Sequence, residues 1–217
     1  MINKIDSYVY GLLITDGNLG LNTRNRGRIT LEVNEKDEDI VYKLYSIIPN
    51  SKVHERTRDT NFKKGYKSKI FSNHQRTFRE KFINYGFPTK DKTINANVPN
   101  EEYDEISFWR GVIDGDGSIG FIKDGSPFIS LVTKSEILKE EYLIFLKKVL
   151  GITKHSSRNK RDKVYNIVVK NEDAVELSRL LYLTNKEDNL YINRKFNKAL
   201  EFQTWVRKVP KRLKINN

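Results

Sequence analysis

A chain of 217 residues with 37% hydrophobic side chains can bury one large core or two small ones, and it contains no apolar run of the roughly eighteen residues that a membrane-spanning helix needs. Forty lysines and arginines against twenty-eight aspartates and glutamates leave a formal charge of +12, a field that favours a polyanion, usually nucleic acid. Without cysteine there are no disulfides, thiolate metal sites or cysteine nucleophiles, and with three histidines any divalent cation must be held mainly by oxygen. The start, "MINKIDSYVY", lacks the basic-then-apolar pattern of a secretory signal, so the expected location is intracellular, cytoplasmic or organellar, with no membrane partner.

In chain order, apolar spacing predicts a helix that closes in "YGLLITDGNLG" (10–20). Two short alternating segments around "NRG" in "GNLGLNTRNRGRITLEV" predict a hairpin, and "KDEDIVYKLYSII" a helix with Ile40, Leu44 and Ile47 on one face. A strand pair, "SKVHERTRD" with "YKSKIFSN", and a helix, "HQRTFREKFINYG", complete the unit. A proline and an acidic run in "NANVPNEEYDEI" (95–106) then break the periodicity.

The same order begins again in "RGVIDGDGSIG" (110–120), where Gly111, Asp116, Gly117 and Gly120 repeat Gly11, Asp16, Gly17 and Gly20. A hairpin in "GSIGFIKDGSPFISLVT" is followed by a helix, "KSEILKEEYLIFLKKVL", with Leu138, Tyr142, Phe145 and Val149 on one face. A strand pair, "TKHSSRNKRD" with "KVYNIVVKN", and a helix, "EDAVELSRLLYL", follow. The expectation is an α+β protein of two αββαββα halves, residues 1–100 and 101–217, each with an antiparallel sheet.

Tyr8, Gly11 and Thr15 share one helical face in the first copy, as Phe108, Gly111 and Gly115 do in the second. Glycine inside a helix costs about 1 kcal/mol relative to alanine, so Gly11 and Gly111 predict that the two repeated helices pack backbone to backbone. Asp16 and Asp116 would then meet at the helix C-termini, the end that disfavours an anion, with Gly17 and Gly117 suited to the left-handed residue that often follows a helix. A lone Asp-Gly is usually a solvated turn; two brought together repel unless a divalent cation lies between them.

"VYGLLITDG" (9–17) and "WRGVIDGDG" (109–117) resemble the nine-residue signature of the LAGLIDADG homing endonucleases in their single-chain, two-motif form. Tyr10 and Arg110 depart from the small second residue, and Ile14 replaces the sixth-position acid that Asp114 retains. The resemblance implies two pseudo-symmetric halves joined by a two-helix interface, with sheets that form a DNA-binding saddle. It also implies a monomeric, site-specific double-strand DNA endonuclease that hydrolyses one phosphodiester per strand across the minor groove. Asp16 and Asp116 would hold Mg²⁺, with the carbonyls of Thr15 and Gly115 close by; Mn²⁺ would substitute, and Ca²⁺ would support binding without cleavage.

The family supplies a lysine per half near the site, and Lys92 and Lys195, at similar intervals after their aspartates, are the candidates, with Lys90 an alternative to Lys92. The implied DNA contacts are Asn22, Arg24, Arg26, Arg28, Thr30, Glu32, His54, Arg56, Arg58, Lys67 and Lys69 in the first half. Their counterparts in the second are Lys123, Lys154, Ser156, Arg158, Lys160, Arg161, Lys163 and Tyr165. Two alternatives stand beside this reading. One is a non-cleaving DNA- or RNA-binding protein of the same fold, a regulator or an intron maturase whose added partner would be intron RNA. The other is a protein-binding module.

Overall fold

Two buried helices, α1 (Lys4–Asp16) and α5 (Glu105–Asp116), lie side by side at the centre of the molecule. The computed structural model describes residues 1–22, 26–59, 64–184 and 189–207. Asn3 and Asp104 start the two helices alike, each accepting a backbone N–H, of Asp6 and Ser107 respectively, at 2.8 Å. A parallel bridge between Ile2 and Tyr103 sets the two starts together. From Ser7 to Ile14 and from Ser107 to Asp114 every residue is buried, as befits helices that are apolar on nearly all sides.

Gly11 and Gly111 have the predicted role. A methyl group on Gly11 would overlap the Phe108 carbonyl, one on Gly111 the Tyr8 carbonyl, and one on Gly115 the Thr15 side chain. The large second residues point into their own surroundings: Tyr10 packs among Phe82, Phe87 and Phe108, while Arg110 lies under the Tyr8 ring and donates to the Leu181 carbonyl at 3.3 Å. Gly17 and Gly117 correct an expectation. Both are extended, with φ of −73° and −84°, and are glycines because a Cβ would meet the carbonyls of Leu13 and Ile113 one turn back.

Each helix runs directly into a sheet. The first contains β1 (Gly17–Leu21), β2 (Gly27–Asn34), β3 (Ser51–Arg58) and β4 (Tyr66–Asn73), antiparallel in the order β1-β2-β4-β3. Ile29, Leu31 and Val33 enter the core from alternate positions of β2, while Arg28, Thr30 and Glu32 occupy the opposite face. Helices α2 (Asp39–Ile47) and α3 (Arg76–Asn84) and the single-turn α4 (Lys92–Asn95) complete this half.

The second sheet, among the described residues, has three antiparallel strands: β5 (Gly117–Phe121), β6 (Pro127–Thr133) and β7 (Tyr165–Lys170). Helix α6 (Glu136–Leu150) lies between β6 and β7, and α7 (Asn171–Tyr182) and α8 (Asn193–Phe202) follow. The strand predicted in "TKHSSRNKRD" does not form. That stretch has no alternating apolar set to bury, and local bonds satisfy it instead: Asn159 Oδ1 accepts the Arg161 N–H, and the Arg158 Nε donates to the Lys163 carbonyl. Both halves share one continuous hydrophobic core through α1 and α5. No helix among the described residues is long and apolar enough to cross a membrane.

Candidate functional site

The C-terminal ends of α1 and α5 emerge together, because the glycine contacts hold the helices at backbone distance along their length. Asp16 and Asp116 each occupy the last helical position. Asp16 Oδ2 lies 3.5 Å from where a Cβ on Gly115 would stand, so it reaches across to the partner helix. Both aspartates are solvent-exposed, while the helix ends and lysine-bearing segments beside them take away part of the carboxylates' hydration. That loss, with the Asp116 charge adding to it and Lys195 and Lys92 opposing it, pushes the Asp16 carboxyl up to about 6. The same loss of water raises Asp116, again against Lys92 and Lys195.

The structure brings Lys92 and Lys195 to equivalent places, each over the end of its own half's motif helix. The Lys92 ammonium, from α4, donates to the carbonyls of Thr15 and Gly17 and, at 3.4 Å, of Leu13. Lys195, from α8, donates to the carbonyls of Ile113 at 2.6 Å, Asp114 at 2.6 Å and Gly117 at 2.8 Å. The Leu13 and Ile113 carbonyls also accept the Gly17 and Gly117 N–H, the last-turn carbonyls of Thr15 and Asp114 lie beyond the reach of the i to i+4 ladder, and a cation there offsets the helix dipole. Burial lowers both lysine pKa values while the nearby carboxylates raise them. Lys90, the alternative, is exposed on the approach to α4.

The two lysines differ in surroundings. Lys195 is 3% exposed. Lys92 is half-buried and borders a cavity of about 230 Å³ that also meets Thr15, Thr93, Asp116, Thr133 and Lys134. Each lysine-bearing segment is also tied to the opposite half. Ser135 Oγ donates to the Ala96 carbonyl at 2.6 Å beside α4. Before and at the start of α8, Lys43 donates to the Tyr191 carbonyl at 2.6 Å and to Asn193 Oδ1 at 2.7 Å, the Asn193 N–H meets Asp39 at 2.8 Å, and Arg194 grips Asp37 through two bonds of 2.8 and 2.9 Å.

Asp114, which the sequence marks only through its replacement by Ile14, is buried in a polar network. It accepts from Tyr8 Oη at 2.7 Å, Tyr182 Oη at 2.8 Å and the Ile192 N–H at 3.0 Å. Burial raises its pKa, with Lys195 and these donors opposing.

Among the described residues no three His, Cys, Asp or Glu side chains converge on one point. A divalent cation at Asp16 and Asp116 would therefore complete its shell from water, phosphate or main-chain oxygens. The donor set suits such an ion, since two hard, solvent-reachable carboxylates stand at adjacent helix ends with the Asp116 charge acting on Asp16. Of the two carbonyls expected nearby, that of Thr15 is already engaged by Lys92.

On the first sheet the face opposite the core presents Arg28, Thr30, Glu32, His54, Arg56 and Arg58 together. Glu32 organises them, accepting from Ser68 Oγ at 2.7 Å and pairing with Arg56 and Arg58 at 3.4 Å. Asn22 and Arg26 close the β1–β2 end through a backbone bond of 2.6 Å; Arg24 lies outside the described residues. Lys67 and Lys69 are corrections. The register sets them opposite Thr57 and Glu55, on the other face from His54, Arg56 and Arg58, where Lys69 pairs with Glu38 and Glu55. Sequence reading missed Asn18, His74 and Arg79, which line a basic hollow of about 660 Å³ with Asn22, Arg26 and Arg28.

In the second half Lys123 is exposed in the β5–β6 turn, and Arg158, Lys160, Arg161 and Lys163 are exposed along the irregular stretch. Lys154 and Ser156 are half-buried there, with Ser156 Oγ donating to the Asn166 carbonyl at 3.2 Å. Tyr165 is a correction. It pairs with Thr133 on the core side of the sheet, is buried, and carries the Lys139 ammonium 4.8 Å above its ring. Ser118, Ser130, Asn166 and Lys170 take the outward positions instead, alternating with core residues.

Residues 104–188 match the family model described as a LAGLIDADG-like domain. Solved LAGLIDADG structures also align over most of both halves. The homing endonuclease I-WcaI bound to its DNA recognition sequence is 16% identical, with a TM-score of 0.59 and coverage of 90% of this chain and 86% of that one. The chain has the two-motif LAGLIDADG fold. I-DmoI in complex with DNA and Ca aligns at 15% identity and TM-score 0.57, covering 84% of this chain and 91% of its own. The N-terminal LAGLIDADG domain of DUF199/WhiA aligns at 14% identity and TM-score 0.55, covering 86% of each chain. No curated protein matches by sequence. Within the LAGLIDADG fold, Asp16 and Asp116 are the eighth positions of the two motifs, and the structure brings them together at the helix ends.

Proposed function

We propose that this LAGLIDADG chain is a monomeric, site-specific endonuclease of double-stranded DNA, with residues 1–100 and 101–217 each serving one strand. The observation that carries the reading is the meeting of Asp16 and Asp116 at the ends of two helices packed through glycine, each with a lysine at hand. An acid pair disfavoured by the helix dipoles, by lost water and by mutual repulsion is a poor structural element and a good cation site. I-WcaI and I-DmoI, with the same fold, are described with DNA, the latter with Ca as well.

Cleavage requires a water oxygen to bond to phosphorus while the 3′ oxygen leaves. A divalent cation held by Asp16 and Asp116, Mg²⁺ or Mn²⁺, would activate the water and neutralise charge on the phosphate and the departing oxygen. Lys92 and Lys195 contribute as fixed charges. An ammonium has three donors, and in each lysine all three meet main-chain carbonyls, so neither is arranged as a proton acceptor. Arg28, Arg56 and Arg58 on the first sheet, with Lys123, Arg158, Lys160, Arg161 and Lys163 on the second half, supply cations to DNA phosphates and base edges, and His54 adds a hydrogen-bonding ring beside them.

The test is incubation with a randomised duplex library in Mg²⁺ and, separately, in Ca²⁺. Cutting at one long site in Mg²⁺ and binding alone in Ca²⁺ is the expected result. Binding with no cutting in either ion rejects the endonuclease and leaves a DNA-binding regulator or maturase.

A further inference from the structure

Asp114 lies two residues before Asp116 in the same helix, a rotation of about 200°, so its side chain leaves the opposite side of α5. It is 2% exposed, and its two oxygens serve three different elements. Oδ2 accepts from Tyr8 Oη on the other motif helix and from the Ile192 N–H; Oδ1 accepts from Tyr182 Oη at the end of α7. Ile192 is the residue from which α8 starts, and one turn further on Lys195 returns to the α5 end, donating to the Asp114 carbonyl itself. The segment that carries Lys195 is thus bonded to Asp114 twice, by the side chain at its first residue and by the main chain at its lysine. In the first copy Ile14 stands in the equivalent position and has no acceptor, and Lys92 is held over its helix end by carbonyls.

We propose that Asp114 is a positioning residue for Lys195: its carboxylate pins the start of α8 and so fixes the ammonium against the carbonyls beside Asp116, a device the Lys92 site lacks. The effect on cleavage rests on the endonuclease reading; the positioning does not. Loss of the carboxylate strands two hydroxyls and one amide in the core, and residues 189–196 must move to satisfy them. Asparagine keeps an acceptor for Tyr8 Oη and the Ile192 N–H and turns a donor to Tyr182 Oη.

The experiment compares the full chain with Asp114→Ala and Asp114→Asn. Reductive methylation with mass spectrometry reads Lys195 and Lys92, and hydrogen exchange reads the amides of 189–196. The alanine variant is expected to methylate Lys195 roughly tenfold faster or more, with Lys92 unchanged and exchange faster at 189–196, and the asparagine variant to recover most of the protection. On a duplex selected by the unmodified chain, the alanine variant should accumulate nicked DNA, since only the strand served by Lys195 slows. An unchanged Lys195, an equal rise at Lys92, or an asparagine variant no better than alanine overturns the proposal. Should the alanine variant fail to fold, Tyr182→Phe, which frees only Oδ1, is read the same way for a smaller rise confined to Lys195. A chain that cuts no duplex rejects the endonuclease, while the methylation and exchange patterns still decide the positioning.

Discussion

The Lys92 and Lys195 sites share a helix end, an aspartate and a set of carbonyls, and differ in how the lysine is delivered. Lys92 comes from the single turn of α4, half-buried beside a cavity that Ile14, the counterpart of Asp114, also lines. Lys195 comes from the ten-residue α8, is 3% exposed, and has Asp114 and a group of inter-half bonds behind it. What the repeat retains is the placement of charge at the helix ends; what it varies is the scaffold that holds the charge there. Asp16 and Asp116 are common to both sites, whereas each lysine belongs to one.

That contrast orders the expected effects of mutation. If the acids form the proposed cation site together, Asp16→Asn or Asp116→Asn should slow cleavage of both strands by about a thousandfold or more, while affinity for DNA in Ca²⁺ changes little. Rates for each strand, with end-labelled duplex, check this, and loss of one strand alone would show that the two halves hold their ions independently. Lys195→Met should slow its own strand by about a hundredfold and Lys92→Met by about tenfold, the order expected for removing a charge that stabilises a transition state. Thermal melting should separate the pair as well, since three buried carbonyls each lose the ammonium in the first and more exposed ones do in the second.

The smallest effect is on stability without metal. A carboxyl whose folded pKa lies above its unfolded value favours the fold while protonated and penalises it once ionised. Asp16, raised to about 6, should therefore cost stability as pH rises from about 4 through 6. Asp16→Asn should melt higher than the unmodified chain at pH 7.5 in EDTA, by about 1 kcal/mol after allowance for solvent screening, and no higher at pH 4. Equal melting at pH 7.5 would mean that the acid pair is not under electrostatic stress.

Much of this was legible in the sequence because the physics is local. Apolar spacing announced the two repeated helices, glycines within them announced close packing, and duplication tied the two aspartates together. The rest depends on distant partners. Lys67 and Lys69 share a strand pair and a period of two with His54, Arg56 and Arg58, but the pairing of β4 with β3 decides which face they take. Tyr165 looked like a continuation of the basic stretch and is instead the first core residue of β7. Asp114 draws its donors from Tyr8, Tyr182 and Ile192, none of them near it in the chain, so its only signal was a mismatch between the two motifs.

The bonds of Asp37, Asp39 and Lys43 with residues 191–194 give the two repeats an allegiance that duplication alone would not. A second half transplanted onto another LAGLIDADG partner would bring Lys195 with it but leave behind the surface on which α8 is seated. Any exchange of halves would therefore have to carry the seam along with the motif: α8 keeps its seat only beside a matching patch at 37–43.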